Sequence, residues 1–252
     1  MIFTRLALAF AVSLISSVVF AQAQSSIPLN QHYFEINPTD SIHHRYNKLV
    51  SYTTDSVKIE RTFTLENNLV QVERFHPGNE DYQEYSIEKY ALDGKLIEKT
   101  IVNKANSKYI STYFHENEQV GQVIYRGESK YSIFRKGYAE PKESLYNDFL
   151  PNPLETKKIF TSFIGPKVKF YPSEFPIYSQ QIWFAILIDE SGKIVEIEWA
   201  NPLGCEERFV KRYFKAIQSW KEGFSPALDH LGNPKSQWFY VHFHFGSPKR
   251  NE

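Results

Sequence analysis

Polar and apolar side chains alternate with a period close to two over much of residues 33–149. The run KYISTY at residues 108–113 is one example, and turn-forming pairs such as Asp93 with Gly94 and Glu116 with Asn117 separate the runs. Short alternating runs broken by such pairs are typical of antiparallel hairpins. We therefore predict a domain at residues 24–150 that is an antiparallel β meander of hairpins.

A faint repeat accompanies this alternation. Segments that begin at Phe63, Tyr90 and Tyr113 each place an aromatic residue before a turn and an aliphatic residue after it. The pattern resembles the hairpin repeats of MORN-type and related antitoxin-like proteins, in which successive hairpins stack. Only one copy has the turn glycine, Gly94, so a plain meander is the preferred interpretation.

The C-terminal part has a different pattern. Residues 182–189 are apolar in both phases, which is typical of a strand buried on both faces. A turn at residues 190–193 leads to a second apolar run at residues 194–199, so the two runs predict a hairpin.

A helix and a last strand follow. One helical face carries Val210, Tyr213, Phe214, Ile217 and Trp220, and the opposite face carries Lys211, Arg212 and Lys215. Gly223 and Pro226 end the helix, and residues 237–245 form the strand. The whole chain is therefore predicted to be α+β, with a ββαβ domain at residues 177–247 whose three-stranded antiparallel sheet packs on one helix.

Prolines mark the division between the two parts. Five of the 13 prolines fall between Pro151 and Pro176. Proline fixes the backbone and removes a hydrogen-bond donor, so such a stretch resists regular structure. We predict a Pro-rich linker at residues 151–176.

The N-terminal residues have the organisation of a secretory signal. Arg5 precedes an uncharged run at residues 6–20, and Ala21 and Ala23 form an A-x-A cleavage pattern. The run is shorter than the roughly 20 residues that a membrane-spanning helix needs. We predict a cleaved signal peptide at residues 1–23 and an exported, periplasmic protein; an inner-membrane anchor at residues 6–20 is the alternative.

Charge and cysteine content narrow the classes of partner. Basic and acidic residues balance at 29 each, which argues against electrostatic capture of nucleic acid. The single cysteine, Cys205, cannot form an intramolecular disulfide. Stability outside the cell must therefore come from a packed core, which 20 phenylalanines, 16 tyrosines and 4 tryptophans can supply.

The C-terminal domain resembles a known family. The resemblance covers residues 170–245 and is carried by spaced positions: Tyr171, Pro172, Ile188, Asp189, Gly192, Lys193, Ile194, Trp220, Phe224, Pro226, Ala227, Gly232 and Pro234, followed by an aromatic closing strand. This pattern is similar to the C-terminal domain of TonB energy transducers. The resemblance implies a ββαβ fold whose final strand can pair with a short segment of a partner protein.

Two features depart from that family. A TonB transducer is expected to keep a membrane anchor and a long Pro- and Lys-rich spacer, whereas this chain has a predicted signal peptide and a folded N-terminal domain. Residues 179–181 also replace the glycine that family members place before the first strand. The strand-pairing mode of binding is therefore the part of the resemblance that carries over best.

The last strand supplies the candidate partner-binding residues. One phase is mixed and consists of Trp238, Tyr240, His242 and His244; the other phase is apolar and consists of Phe239, Val241, Phe243 and Phe245. We expect the apolar phase to pack on the helix and the mixed phase to face solvent or a partner.

Sequence patterns for metal, cofactor or catalytic sites are weak. His242 and His244 could bind a metal, but no third ligand is identifiable, and His43 and His44 have no ligand spacing either. Cys205 could be a nucleophile at a helix start, although a buried structural role is preferred. We predict no enzyme activity, no cofactor and no metal.

These observations lead to a ranked set of hypotheses. The first is a non-enzymatic periplasmic TonB-like protein that binds a protein or peptide by β-strand pairing, with an outer-membrane receptor of TonB-dependent transport as one partner class. The second is a structural or assembly protein of the cell envelope, with a homodimer through the last strand. A hydrolase is the third class and has no motif behind it.

Overall fold

The computed structural model describes residues 26–77, 84–168, 180–203 and 207–245. Most of the fold is antiparallel β-sheet with few helices, so the α+β class and the long meander are confirmed. Residues 1–23 of the predicted signal, residues 169–176 of the predicted linker and Cys205 lie outside the described residues.

Ten strands form one sheet in which the order across the sheet is the order along the chain. The strands are β1 (Ile27–Leu29), β2 (Tyr46–Tyr52), β3 (Lys58–Thr64), β4 (Leu69–His76), β5 (Glu84–Tyr90), β6 (Leu96–Asn103), β7 (Lys108–His115), β8 (Glu118–Tyr125), β9 (Tyr131–Arg135) and β10 (Lys142–Ser144). Every strand pair is antiparallel.

The turns form where the sequence predicts them. Glu116 and Asn117 make a two-residue connection from β7 to β8 with φ angles of 49° and 65°, which is the left-handed geometry of tight hairpins. Gly94 has φ 81° between β5 and β6.

The faint repeat has a structural counterpart. The segments that begin at Phe63, Tyr90 and Tyr113 each lie in a hairpin, and the pairing register shifts beside each of these aromatic residues. A local register shift increases strand twist, so each of the three hairpins has a local irregularity at its aromatic residue.

One face of the meander, here called the inner face, carries Thr100, Ser111, Val123 and Ile133 on adjacent strands. Phe149 packs on this face and stacks on Tyr113 with ring centres 4.1 Å apart. A Cβ at Gly121 would lie 2.6 Å from the Phe149 ring, so the glycine gives the ring its space.

The predicted linker is partly regular. It contains β11 (Asn152–Pro153), α1 (Lys157–Ile164) and a 3-10 turn at Gly165–Lys167. The Thr156 side chain caps α1 by accepting a hydrogen bond from the Ile159 N–H, and Phe160 and Ile164 are fully buried. The expectation of an irregular stretch is wrong for residues 157–164, because two apolar side chains one helical turn apart bury on the C-terminal core.

The C-terminal elements are β12 (Gln180–Ile188), β13 (Ile194–Trp199), α2 (Glu207–Gln218), β14 (Phe224–Ser225), β15 (Ala227–Leu228), β16 (Pro234–Lys235) and β17 (Gln237–Phe245). Three of them form a sheet in the order β13-β12-β17, with both pairs antiparallel. The central strand β12 buries Ile182, Phe184, Ile186 and Ile188 on one face and Ala185 on the other, which agrees with its apolar side chains in both phases.

The main hydrophobic core lies between this sheet and the two helices. It includes Phe160 from α1, Phe184 from β12, Phe209 and Ile217 from α2, and Val241 from β17. Phe239, Val241 and Phe243 of the apolar phase of β17 therefore pack on the helical layer, and the Phe245 side chain lies outside the described part of the structure.

Among the described residues, no helix combines the length and the apolar character that a membrane crossing needs.

Candidate functional site

The predicted partner-binding strand, β17, lies at an edge of its sheet. All nine of its residues pair with β12, and no other strand among the described residues pairs with it. On β12, the Trp183 carbonyl accepts a hydrogen bond from the Ala200 N–H, and the Trp183 N–H donates to the Asn201 side chain, so both backbone groups of Trp183 point away from β17. Trp183 lies opposite His242 in the register, so the N–H and C=O groups of His242 point away from β12 in turn. Backbone direction alternates along a strand, so the same groups of Trp238, Tyr240 and His244 also point away from β12.

Part of the mixed phase of β17 is covered by the same chain. Residues 29–36, here called the N-terminal hairpin, lie against it, and the His32 ring centre is 4.8 Å from that of Trp238 and 5.7 Å from that of Tyr240. Trp238 and Tyr240 are half-buried, so solvent reaches only part of each side chain, and their partner-binding role stays a prediction. Burial raises the pKa of Tyr240 to about 12.

His32 links the hairpin to two strands of the C-terminal sheet. Its Nε2 lies 2.8 Å from Glu198 Oε2 on β13, and its Nδ1 lies 3.2 Å from the Tyr240 hydroxyl on β17. Gln31 Nε2 also donates to Glu198. Burial raises the pKa of Glu198, but the hydrogen bonds from His32 and Gln31 outweigh burial and hold the pKa below its usual value.

Asn30 shapes the hairpin and attaches it. Its Oδ1 accepts hydrogen bonds from the backbone N–H groups of His32 and Phe34, which fixes the turn. Its Nδ2 donates to the Ala200 carbonyl at 2.7 Å, and Asn30 itself is buried. Each polar group of this side chain therefore has a partner, as a buried amide requires.

His242 and His244 lie farther along the strand and are more open. The ring centres of the two histidines are 5.1 Å apart, and His242 also lies 4.5 Å from Trp183. Burial lowers the pKa of His242, and the nearby charges of Lys157 and His244 lower it further. Within the described ranges, no three histidine, cysteine, aspartate or glutamate side chains are grouped as a metal site would need.

Lys157, at the start of α1, reaches the outer edge of β17. Its Nζ donates to the Tyr240 carbonyl at 3.2 Å and lies 5.6 Å from the centre of the Phe239 ring. Burial of the ammonium group lowers the pKa of Lys157. One of the outward backbone acceptors of β17 is thus already occupied by a side chain.

A cavity of about 520 Å³ lies beside the hairpin. Its described lining comprises Asn30, Gln31, His32, Asp40, His43, Arg45, Glu196, Ile197, Glu198, Trp199, Pro202 and Phe214. His43 donates to Asp40, and this hydrogen bond lowers the pKa of the Asp40 carboxyl. These described residues include carboxylates and imidazoles but no hydroxyl or thiol that could act as a nucleophile.

Sequence reasoning identified β17 but missed the residues that surround it. Asn30 and His32 lie in a stretch without periodicity, and Lys157 lies inside the predicted linker. Asn30 is a turn-forming residue type, which is the one local signal that could have marked the hairpin.

Comparisons of the chain with protein-family models, with curated proteins and with solved structures find no match.

Proposed function

We propose that this protein is a TonB-like binding protein that recognises an extended segment of a partner protein by pairing it with the outer edge of β17. The chain order of β12, β13, α2 and β17, with the sheet order β13-β12-β17, supports the ββαβ fold that the sequence resemblance implies.

The observation that carries the proposal is the edge position of β17 over nine residues. An edge strand presents N–H and C=O groups that can form a ladder with an incoming peptide. The backbone bonds supply affinity, and the side chains around the edge supply selectivity.

The covered side chains refine this mode of binding. Because Trp238 and Tyr240 lie against the N-terminal hairpin, the partner pairs with the backbone edge and meets few side chains of the mixed phase there. His244 is exposed, so the final part of β17 offers both backbone and side chain.

The cellular setting is part of the same proposal. We take residues 1–23 as a signal peptide that is cleaved on export to the periplasm, and an outer-membrane receptor of TonB-dependent transport is the first partner class there. The protein acts by binding and needs no cofactor.

A cross-linking experiment tests strand pairing. A photo-reactive amino acid at His244, in protein expressed in its own cells, should cross-link to a partner protein in the envelope fraction. His242→Pro removes an outward N–H that is not used by β12, so we expect it to abolish the cross-link while leaving the fold intact.

The opposite edge of the sheet supplies the matched control. Val195 is 56% exposed on β13, at the irregular end of its pairing with β12, so Val195→Pro should leave the cross-link unchanged. A cross-link that survives His242→Pro would contradict strand pairing.

An assembly role in the envelope is the second candidate. Ile101 and Ile110 are paired directly across β6 and β7 on the outer face of the meander, and each is 41% exposed. Contiguous exposed apolar side chains are typical of interaction surfaces. Cross-links from His244 to a second copy of the chain would favour this role.

A further inference from the structure

We infer that Lys157 selects the incoming strand by its charge: the segment that pairs with β17 carries an acidic side chain beside the position facing Tyr240. This inference depends on the proposed strand pairing and names the chemistry of the partner. It assigns Lys157 two roles, to occupy the edge when no partner is bound and to favour an acidic partner.

The first role follows from the contact with Tyr240. The Tyr240 carbonyl points away from β12, so an incoming strand needs it as a hydrogen-bond acceptor. Lys157 Nζ already donates to this carbonyl at 3.2 Å. A strand that pairs across Tyr240 must therefore displace the ammonium group, and a lysine on an edge is a known protection against unwanted pairing.

The second role follows from the charges around the edge. Lys157 and Lys158 lie in the first turn of α1, and the Lys157 side chain reaches Tyr240 on β17. Within the part of the chain that the structure describes, no carboxylate forms an ion pair with Lys157 or Lys158. Among the described residues, these two lysines therefore have no carboxylate partner, which gives the edge a positive character.

Displacement of Lys157 explains why an acid is favoured over a neutral residue. A neutral strand takes the carbonyl from the ammonium group, which then has water as its partner because Lys157 is an exposed residue. A carboxylate on the incoming strand gives the displaced ammonium a new partner through a charge-assisted hydrogen bond. Acidic and neutral strands should thus differ in affinity although their backbone ladders are the same.

Peptide binding to the mature protein provides the test. The probes are two short fluorescein-labelled peptides that alternate threonine and valine and differ only in a central glutamate or glutamine. Fluorescence anisotropy at low salt should show that the glutamate peptide binds about fivefold more tightly, the upper range for a partly exposed ion pair. The difference should shrink as salt is added.

Variants separate Lys157 from the general charge of the surface. Lys157→Met should remove the preference for glutamate and tighten binding of the glutamine peptide, because the carbonyl is then free. Lys157→Glu should reverse the preference, so that the glutamine peptide binds more tightly than the glutamate peptide. Lys158→Met, which changes an adjacent exposed lysine, should keep the glutamate preference.

The outcomes separate the proposed role of Lys157 from the proposed strand pairing. Equal binding of the glutamate and glutamine peptides, with both lost in His242→Pro, would overturn the role of Lys157 and leave strand pairing intact. A glutamate preference that persists in Lys157→Met would also overturn that role. No binding of any peptide, or binding that His242→Pro leaves unchanged, would overturn both proposals.

Discussion

At the residue scale, Glu88 shows how the meander accommodates charge within a sheet. On neighbouring strands, Arg74 lies 2.6 Å and Lys99 lies 3.1 Å from its carboxylate, and the Tyr90 hydroxyl donates to it at 2.9 Å. Burial raises the pKa of Glu88, but these hydrogen bonds outweigh burial and hold the pKa at about 2. The cross-strand contacts join three strands on one face of the sheet.

The lowered pKa predicts a specific dependence of stability on pH. A carboxyl whose pKa falls from 4.5 to about 2 on folding stabilises the protein above pH 4.5, and this contribution is lost as the pH falls toward 2. After allowance for solvent screening, we expect Glu88→Gln to remove about 1 kcal/mol of this acid-dependent stability.

Urea unfolding between pH 5 and pH 2 measures the effect of Glu88→Gln. Glu84→Gln, at the exposed end of the same strand, is the control and should follow the wild-type curve. A parallel pH dependence in Glu88→Gln and wild type would show that the three contacts do not stabilise the charged form.

Gly192 is required for two reasons, of which the sequence indicates only one. It lies in the predicted turn at residues 190–193, and its φ of 82° is the left-handed geometry that glycine adopts readily in turns. A Cβ at this position would also lie 2.0 Å from the Phe224 carbonyl oxygen. The turn geometry is local, whereas the close approach of β14 depends on how the chain returns to the hairpin.

At the element scale, α1 is the main difference between prediction and structure. Prolines on both sides of residues 157–164 dominated the sequence pattern, and the helix itself is short. Short helices are marginal in isolation, so packing must provide most of their stability. Phe160 supplies that packing through edge contacts with Trp220, Phe224 and Phe239.

Two adjacent residues of α1 distinguish a packed helix from a linker. Phe160 is fully buried, so Phe160→Ala should lower the free energy of unfolding by about 3 to 5 kcal/mol. Ile159 is 46% exposed, so Ile159→Ala should change it by less than about 0.5 kcal/mol. Denaturant unfolding measures both, and two neutral substitutions would restore the linker interpretation.

At the scale of the whole molecule, two sets of contacts join the meander to the C-terminal sheet. The N-terminal hairpin makes the first set through Asn30 and His32. The second set surrounds a buried ion pair between Arg135 and Asp148, with an N–O distance of 2.8 Å. Arg135 also donates to the Asp229 carbonyl, and His115 stacks on His230.

These contacts predict that the two parts unfold together. All four tryptophans lie at or after residue 183, so tryptophan fluorescence reports the C-terminal part, while far-UV circular dichroism is dominated by the larger meander. We expect both signals to change at the same urea concentration, as in a two-state transition.

Asp148→Asn tests the coupling directly. It leaves the buried Arg135 without its counter-charge and should destabilise both signals by about 3 kcal/mol. The exposed neighbour Glu143 provides the control, and Glu143→Gln should leave both transitions in place. Separate transitions, or a shift in the circular dichroism signal alone, would mean that the two parts are independent.

The amino-acid sequence alone determined the features that depend on neighbouring residues. The alternation of residues 108–113, the Glu116 and Asn117 turn and the apolar face of α2 each predicted the element that the structure contains. Side-chain periodicity reflects local backbone geometry, so it can be recognised without knowledge of the fold.

Only the tertiary structure decided which surfaces are covered and which edge is open. Asn30 and His32 contact residues that lie 166 to 208 positions away in the chain, and no local pattern encodes such pairs. The same holds for Lys157 and Tyr240, which are 83 positions apart. The side chains of β17 could thus be predicted as a candidate site, but their burial against the hairpin depends on long-range packing.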